Sequence, residues 1–315
     1  MLSESRFPTS RSPVVPWRML LLIGAAFIIL LATGGLTEDK RKQRTAGVIY
    51  IDCNSIVESS GIAVSTRDPQ ILWTHNDSGD RPRLFAVNRI GKLVAEVAVE
   101  SAEARDWEDL CSFEMAGSHW LAIGDCGDNE RKRQDITIYF VEEPLVPSGQ
   151  TKSIRVAAQR TLKVRYPGDR PLDCEAIAYD PLTSCVLLCS KETYRTQVFQ
   201  VPVPQEKGLH HATAQRIGVL GLPWVTAADI SRDGQRFVIA TYGPGGILIR
   251  SADQKNGQRD WGLSNPTKLR TFELPARFQG ESVCFDPLQG NLILTSEGTP
   301  TPLHFVPIPE KTSAP

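Results

Sequence analysis

The segment EAIAYDPLTSCVLLCSKE, residues 175–192, recurs as ESVCFDPLQGNLILTSEG at residues 281–298. Each copy has a leading glutamate, a short apolar strand, a turn with Asp and Pro, and a second apolar strand that ends in polar residues. Three further stretches share the pattern: SGIAVSTRDPQILWTHNDSG from residue 60, EDLCSFEMAGSHWLAIGDCGDN from residue 108 and ADISRDGQRFVIATYGPGG from residue 228. Successive leading residues are 48, 67, 53 and 53 residues apart. A repeat of this length, with room for about four strands, is typical of a β-propeller.

Strand-like segments and turn residues fill the chain between these stretches, and no amphipathic pattern of period 3.6 interrupts them. Five repeats therefore predict an all-β, five-bladed propeller over residues 46–309. The fifth repeat is one strand short, and GVIYID at residues 47–52 supplies a strand that would pair into the last blade and remove its open edge. The long interval between residues 108 and 175 leaves a six-bladed propeller as the alternative.

The N-terminal region is set apart from the propeller. Residues 1–18 form a polar tail, residues 19–36 (MLLLIGAAFIILLATGGL) carry no charge, residues 37–45 form a linker, and residues 310–315 form a C-terminal tail. An uncharged run of 18 residues is long for a signal peptide and long enough to span a bilayer, so we predict a single transmembrane anchor. We expect the propeller on the extracytoplasmic side. A cleaved signal followed by secretion, and a cytoplasmic domain tethered the other way round, are the alternatives.

Composition excludes several classes of protein. The 35 Lys and Arg residues nearly balance the 36 Asp and Glu residues, which argues against a nucleic-acid partner. The seven cysteines form no CxxC pair, which excludes a zinc ribbon, although Cys126 and Cys174 could meet and form a disulfide. The chain has no GxSxG elbow, P-loop or HExxH motif, so serine esterases, P-loop NTPases and zincins lack support. We expect a monomer.

The leading residues of the repeats carry the functional argument, because the innermost strands of a propeller start at one mouth of its central channel. These leads are Ser60, Glu108, Glu175, Ala228 and Glu281. Two carboxylates about 5 Å apart repel by roughly 3 kcal/mol at an effective dielectric of about 20, so the three glutamates need a cation, protons or water. Oxygen donors without His or Cys suit Ca²⁺, with Mg²⁺ possible. We therefore predict a metal site formed by Ser60, Glu108, Glu175 and Glu281. The alternative is that these glutamates only start strands at a solvated rim.

The order Ser60, Glu108, Glu175, gap, Glu281 around five blades resembles the calcium-activated nucleotidases, or soluble apyrases. That family is a five-bladed propeller with a central Ca²⁺ held by such leads. The resemblance implies that the four residues are Ca²⁺ ligands, and Ala228 stands where the family has a side-chain oxygen donor. The segments HNDSG, DWEDL and GDCGDN, at residues 75–79, 106–110 and 124–129, also resemble a group of uncharacterised bacterial exported propellers.

The second strands of the repeats end at the same mouth in polar residues. Among them, Asp125 and Glu192 are candidates to activate water, and His75 and Lys191 are candidates to contact an anionic substrate. Asp77, Tyr242 and Glu297 end other second strands and receive no role. Two functions follow: Ca²⁺-dependent hydrolysis of a phosphorylated or other anionic small substrate, or a non-catalytic, envelope-tethered binding module with a structural cation.

Overall fold

The computed structural model describes residues 48–308, apart from 148, 150, 251–260 and 264. This part of the chain contains 21 β-strands and two short 3-10 turns, Pro167–Asp169 and Pro266–Lys268, so the prediction of an all-β chain is confirmed. No helix in the described ranges is long and apolar enough to cross a membrane. The predicted polar tail, anchor, linker and C-terminal tail lie outside the described residues.

The strands form antiparallel groups of four that follow the order of the sequence. Strand β1 (Ile49–Tyr50) belongs to the last group, although it comes first in the sequence. The first group is β2 (Ser59–Val64), β3 (Ile71–Asn76), β4 (Arg83–Asn88) and β5 (Leu93–Glu100). The second is β6 (Trp107–Met115), β7 (Ser118–Asp125), β8 (Ile136–Glu142) and β9 (Lys152–Arg165). The third is β10 (Cys174–Asp180), β11 (Cys185–Ser190), β12 (Thr196–Pro202) and β14 (Gln215–Leu220), with β13 (Gly208–Thr213) inserted before β14. The fourth is β15 (Val225–Ile230), β16 (Arg236–Thr241), β17 (Gly245–Ile249) and β18 (Arg270–Phe272). The fifth is β19 (Cys284–Phe285), β20 (Asn291–Thr295), β21 (Pro302–Pro307) and β1.

The outer strand β9 joins neighbouring groups. Its first half runs parallel to β5, with Ala95 opposite Lys152, so the eight strands of the first two groups share one sheet, to which β13 adds a ninth. Its second half pairs with β8 and, on its other side, runs parallel to β13. The long interval between residues 108 and 175 therefore contains four strands, and part of its extra length is the 14-residue β9.

The innermost strands of the five groups contact one another in a closed order. β2 contacts β6, β6 contacts β10, β10 contacts β15, β15 contacts β19, and β19 returns to β2. The last group is completed as the sequence pattern predicts. Strand β1 pairs antiparallel with β21, with Ile49 opposite Leu303. A strand from the start of the chain thus covers the edge of the last sheet.

Alternation of side-chain size lets neighbouring groups pack closely. On β10, Ala176 and Ala178 belong to the buried cluster shared with the fourth group, whereas Ile177 and Tyr179 belong to the cluster shared with the second. The Tyr179 ring stacks on Phe113 at a centroid distance of 3.9 Å. Successive residues of a strand point to opposite faces, so β10 supplies one small face and one large face to its two neighbours.

Two buried aspartates tie the inner strands together. Asp109 Oδ2 accepts hydrogen bonds from the backbone N–H groups of Ile177, at 3.0 Å, and Ala228, at 3.3 Å, while Oδ1 accepts from Leu110 at 2.8 Å. Asp229 Oδ2 accepts from Phe285 at 2.8 Å. Side chains of the second and fourth groups therefore cap backbone donors of the groups that follow.

Candidate metal centre

The predicted metal ligands lie where the inner strands begin. Ser60, Glu108 and Glu175 are the second residues of β2, β6 and β10, and Glu281 comes three residues before β19. All four are buried, and each of the three glutamates is at most 5% exposed. Glutamates at a solvated rim would be far more exposed, because carboxylates are rarely buried without a partner.

Three more carboxylates join these glutamates. Side-chain oxygens of Asp77, Asp106 and Glu108 all lie within 4.8 Å of one another, and those of Asp77, Glu281 and Glu297 do the same. Asp77 belongs to both groups because it directly follows β3 and reaches across the mouth. We use the term carboxylate cluster for the following six residues: Asp77, Asp106, Glu108, Glu175, Glu281 and Glu297.

One ammonium group enters the cluster. Lys191 Nζ lies 3.0 Å from Glu175 Oε2 and donates to the Tyr242 hydroxyl at 3.3 Å. The Tyr242 hydroxyl in turn donates to Glu281 Oε1 at 2.8 Å. The second oxygens of both glutamates, Glu175 Oε1 and Glu281 Oε2, are buried without a hydrogen-bond partner. Lys191 thus pairs with Glu175, while the guanidinium groups of Arg133 and Arg277 act on Asp106 and Glu281 from further away.

Burial and mutual repulsion hold protons on these carboxylates. Burial raises the pKa of Glu175 to about 8, and burial together with Glu281 raises the pKa of Glu297 to about 8. Burial and the nearby Asp77 raise the pKa of Asp106 to about 6. Burial would lower the pKa of Lys191, but the Glu175 carboxylate raises it above its usual value. Protonation or a bound cation can relieve this excess of negative charge.

The loop GDCGDN approaches the cluster through its second glycine. A Cβ on Gly127 would collide with Glu108 Oε1, and its distance to Asp106 Oδ2 would be 2.5 Å. Only glycine allows the backbone to pass this close to the carboxylates. The same loop is fixed from the other side, because the Asp128 N–H donates to Asp173 Oδ1 at 2.8 Å.

The other sequence-predicted site residues do not converge on one point. Ser60 Oγ donates to the backbone oxygen of Glu108 at 2.5 Å. Asp125 forms a buried ion pair with Arg133 at 2.8 Å, and Glu192 pairs with Arg131 at 2.9 Å. Of the four catalytic candidates, Lys191 contacts a carboxylate of the cluster, and Asp125 Oδ1 accepts a hydrogen bond from the backbone N–H of Asp106 at 3.1 Å.

His75 is completely buried in the first group of strands. Its ring packs edge-on against Trp107 with a centroid distance of 5.6 Å, and Nδ1 lies 2.9 Å from the backbone oxygen of Asn76. Burial lowers its pKa to about 4, which keeps the ring neutral near neutral pH. A neutral, inaccessible imidazole is poorly suited to contact an anionic substrate.

Sequence reasoning assigned no ligand role to Asp77, Asp106, Glu297 or Tyr242. Asp77, Tyr242 and Glu297 follow second strands of repeats, and Asp106 stands two residues before a lead. The sequence signal that could have identified them is their position just after or just before a strand of a repeat. Which of the many polar strand ends reach the centre depends on side-chain direction, and the repeat pattern does not specify that.

No family model matches the chain, and no curated protein matches it. Among solved structures, the chain is similar to the crystal structure of the major Malassezia sympodialis allergen Mala s 1, with a TM-score of 0.52 and 10% identity over 85% of this chain and 98% of that one. It also matches a functionally unknown protein from Desulfotomaculum acetoxidans, with a TM-score of 0.39 and 12% identity over 76% of this chain and 65% of the other. The likeness to the allergen is one of fold.

Proposed function

We propose that the chain is a five-bladed β-propeller whose carboxylate cluster binds Ca²⁺ and serves the hydrolysis of a phosphorylated or other anionic small substrate. The closed order of contacts among five inner strands, each the first of four, supports the propeller. Completion of the last sheet by β1 supports it as well, since ring closure removes an unpaired edge.

The observation that carries the metal site is the convergence of carboxylate oxygens in two groups of three, beside which Glu175 Oε1 and Glu281 Oε2 are buried without a lysine, arginine, hydroxyl or amide donor. A buried carboxylate oxygen without a donor is unfavourable, and a cation bound to it removes the penalty. The donor atoms of the cluster are all oxygens, which suits Ca²⁺ and, second, Mg²⁺. Asp77 with Glu108 and Asp106, or Asp77 with Glu281 and Glu297, would hold the ion. The resemblance to calcium-activated nucleotidases agrees for Glu108 and Glu281.

The proposed activity divides the work between the cation and the chain. A bound Ca²⁺ would polarise the scissile group of the substrate. Lys191 places a positive charge beside the cluster, where it can attract the anionic group, and Tyr242 holds Lys191 and Glu281 in place. Glu192, on the strand end next to Lys191, is the acceptor that we propose for the proton of the attacking water. Its pairing with Arg131 would have to open for that step.

A non-catalytic binding module with a structural cation is the second candidate. The pairing of Lys191 with Glu175 and of Asp125 with Arg133 favours it, because charge-paired side chains stabilise the ring without performing chemistry. In both cases we propose that residues 19–36 anchor a monomeric propeller on the extracytoplasmic side of the membrane.

Thermal unfolding of the purified full chain in EDTA, Ca²⁺ or Mg²⁺ tests the metal site. A ligand that binds only the folded state at 100 times its dissociation constant adds about 2.7 kcal/mol to the free energy of unfolding. We expect a larger shift with Ca²⁺, lost in Glu281→Gln and kept in the control Glu206→Gln at an exposed position. Equal melting in all three buffers would refute the metal site. An assay for phosphate release from phosphoesters in the presence of Ca²⁺ then separates the two candidates. A hydrolase should release phosphate and lose this activity in Glu192→Gln, whereas a binding module should release none.

A further inference from the structure

A cavity of about 1140 Å³ lies among loops of the second and third groups of strands. Four arginines line it, and we use the term arginine groove for the cavity lined by Arg131, Arg170, Arg195 and Arg216. All four are exposed, so their guanidinium groups remain hydrated and mobile. The volume exceeds the few hundred cubic ångströms that a small organic ligand needs.

Charge in the groove is strongly one-sided. Glu192 is the only acidic residue in its lining, and it pairs with Arg131 at 2.9 Å. Arg170, Arg195 and Arg216 form no ion pair with any carboxylate of the described residues. Guanidinium groups bind phosphate and carboxylate through two parallel hydrogen bonds, so a set of arginines without acidic partners suits an oxyanion.

The lining also has an apolar part. Tyr166, Leu172, Phe199 and Val219 contribute to it, and the rings of Tyr166 and Phe199 lie 5.0 Å apart between centroids. Tyr194 adds an aromatic side chain that is 85% exposed. Inorganic anions gain nothing from such surface, whereas an anion with an apolar body can bury it there.

The groove adjoins the carboxylate cluster along the chain. Glu192 directly follows Lys191, whose ammonium contacts Glu175, and Leu172 directly precedes Asp173, two residues before Glu175. Residues 172–175 and 191–192 therefore contribute to both sites.

We propose that the arginine groove binds an organic anion that carries a phosphate or carboxylate group on an aromatic or other apolar body. The inference deepens the proposed function, since such an anion would be its substrate or ligand. Binding in the groove itself requires no metal, and this separates its test from that of the carboxylate cluster.

Isothermal titration calorimetry of the full chain in EDTA tests the groove, with naphthyl phosphate as the probe. Inorganic phosphate tests the charge alone, naphthol tests the apolar body alone, and naphthoate distinguishes carboxylate from phosphate. The variant has Arg195→Ala and Arg216→Ala together. Arg270→Ala, at an exposed arginine that does not line the groove, is the matched control.

We expect naphthyl phosphate or naphthoate to bind more tightly than phosphate and naphthol. The affinity should fall roughly tenfold or more in the double variant, because two of the guanidinium groups that bind the oxyanion are removed. The control should bind like the unaltered chain, and unchanged melting of all variants would show that they fold. Absence of binding, equal affinity in the double variant, or binding of phosphate as tight as that of naphthyl phosphate would overturn the proposal. Binding without any Ca²⁺-dependent melting shift would support the groove and refute the metal site.

Discussion

Asp109 offers the sharpest test of how the inner strands are held together. Its carboxylate accepts three backbone N–H groups, from Leu110 at 2.8 Å, Ile177 at 3.0 Å and Ala228 at 3.3 Å. The last two belong to the following groups of strands, so one side chain connects three groups. Burial raises the pKa of Asp109, while the three amide donors favour the ionised form. We expect Asp109→Asn to destabilise the fold strongly.

The magnitude follows from the lost acceptors. The Asn side chain has nearly the same volume, so no cavity forms, but an NH₂ group replaces one acceptor and faces backbone donors. Leaving a buried donor without a partner costs about 1–3 kcal/mol. If the remaining oxygen of the substituted side chain stays toward Leu110, the N–H groups of Ile177 and Ala228 both lose their acceptor. We therefore expect the free energy of unfolding to fall by about 2–6 kcal/mol. Domains are stable by only about 5–15 kcal/mol, so this loss is readily measured.

Urea denaturation near pH 8, followed by tryptophan fluorescence, measures the change in the free energy of unfolding. Asp229→Asn is the comparison, because Asp229 accepts only two amides, from Ile230 and Phe285, both at 2.8 Å. It should lose less stability than Asp109→Asn. A loss of less than about 1 kcal/mol for Asp109→Asn, or an order opposite to the expected one, would refute the proposed role of these hydrogen bonds.

Three further predictions concern charge and thiols. In EDTA, the free energy of unfolding should fall as the pH rises from about 5 to 8. Glu175 and Glu297 have pKa values raised from 4.5 to about 8 in the folded state, so the stability present below 4.5 is lost as they ionise. Denaturation at a series of pH values checks this, and a rising profile would contradict it. Asp125→Ala should lower stability by about 3–5 kcal/mol, since it leaves Arg133 as a buried unpaired charge, whereas Glu192→Ala should change little. Similar melting temperatures for the two variants would argue against that difference. The thiols of Cys126 and Cys174 interact, which raises the pKa of Cys126 and lowers that of Cys174, so glutathione disulfide should oxidise the two thiols to one disulfide and be reduced to two glutathione molecules. Peptide mapping by mass spectrometry detects the product, and cross-links among other cysteines alone would count against it.

Local pattern accounts for much of the fold. The copies at residues 175–192 and 281–298 each place two alternating apolar runs around a turn, and the structure has β10 with β11 and β19 with β20 there. The alternation of side chains along a strand and the residue preferences of turns each depend on a few neighbouring positions, so both can be predicted directly from the sequence. The pairing of residues 47–52 into the last group could also be predicted from the sequence. The fifth repeat is one strand short, and residues 47–52 contain a strand that belongs to no other repeat.

Part of the candidate site could be predicted from the sequence. Glu108, Glu175 and Glu281 occupy equivalent repeat positions, and equivalent positions of inner strands lie at the same end of the fold. The roles of Asp125 and His75 could not be judged in the same way. An ion pair with Arg133, or burial against Trp107, depends on loop conformation and on which face a side chain enters.

The sequence by itself determined an all-β chain, the order of most of its strands, and a set of acidic residues at strand starts, because these are properties of short segments and their repetition. Only the tertiary structure decided which acids meet. Asp77 and Glu281 are about two hundred positions apart in the chain, and they share one group of carboxylates because the inner strands contact one another in closed order. The contacts of Asp109 with the amides of Ile177 and Ala228, and the arginine groove, have the same origin. Each lies between segments that are distant in sequence, and packing of whole groups of strands sets their distances and directions.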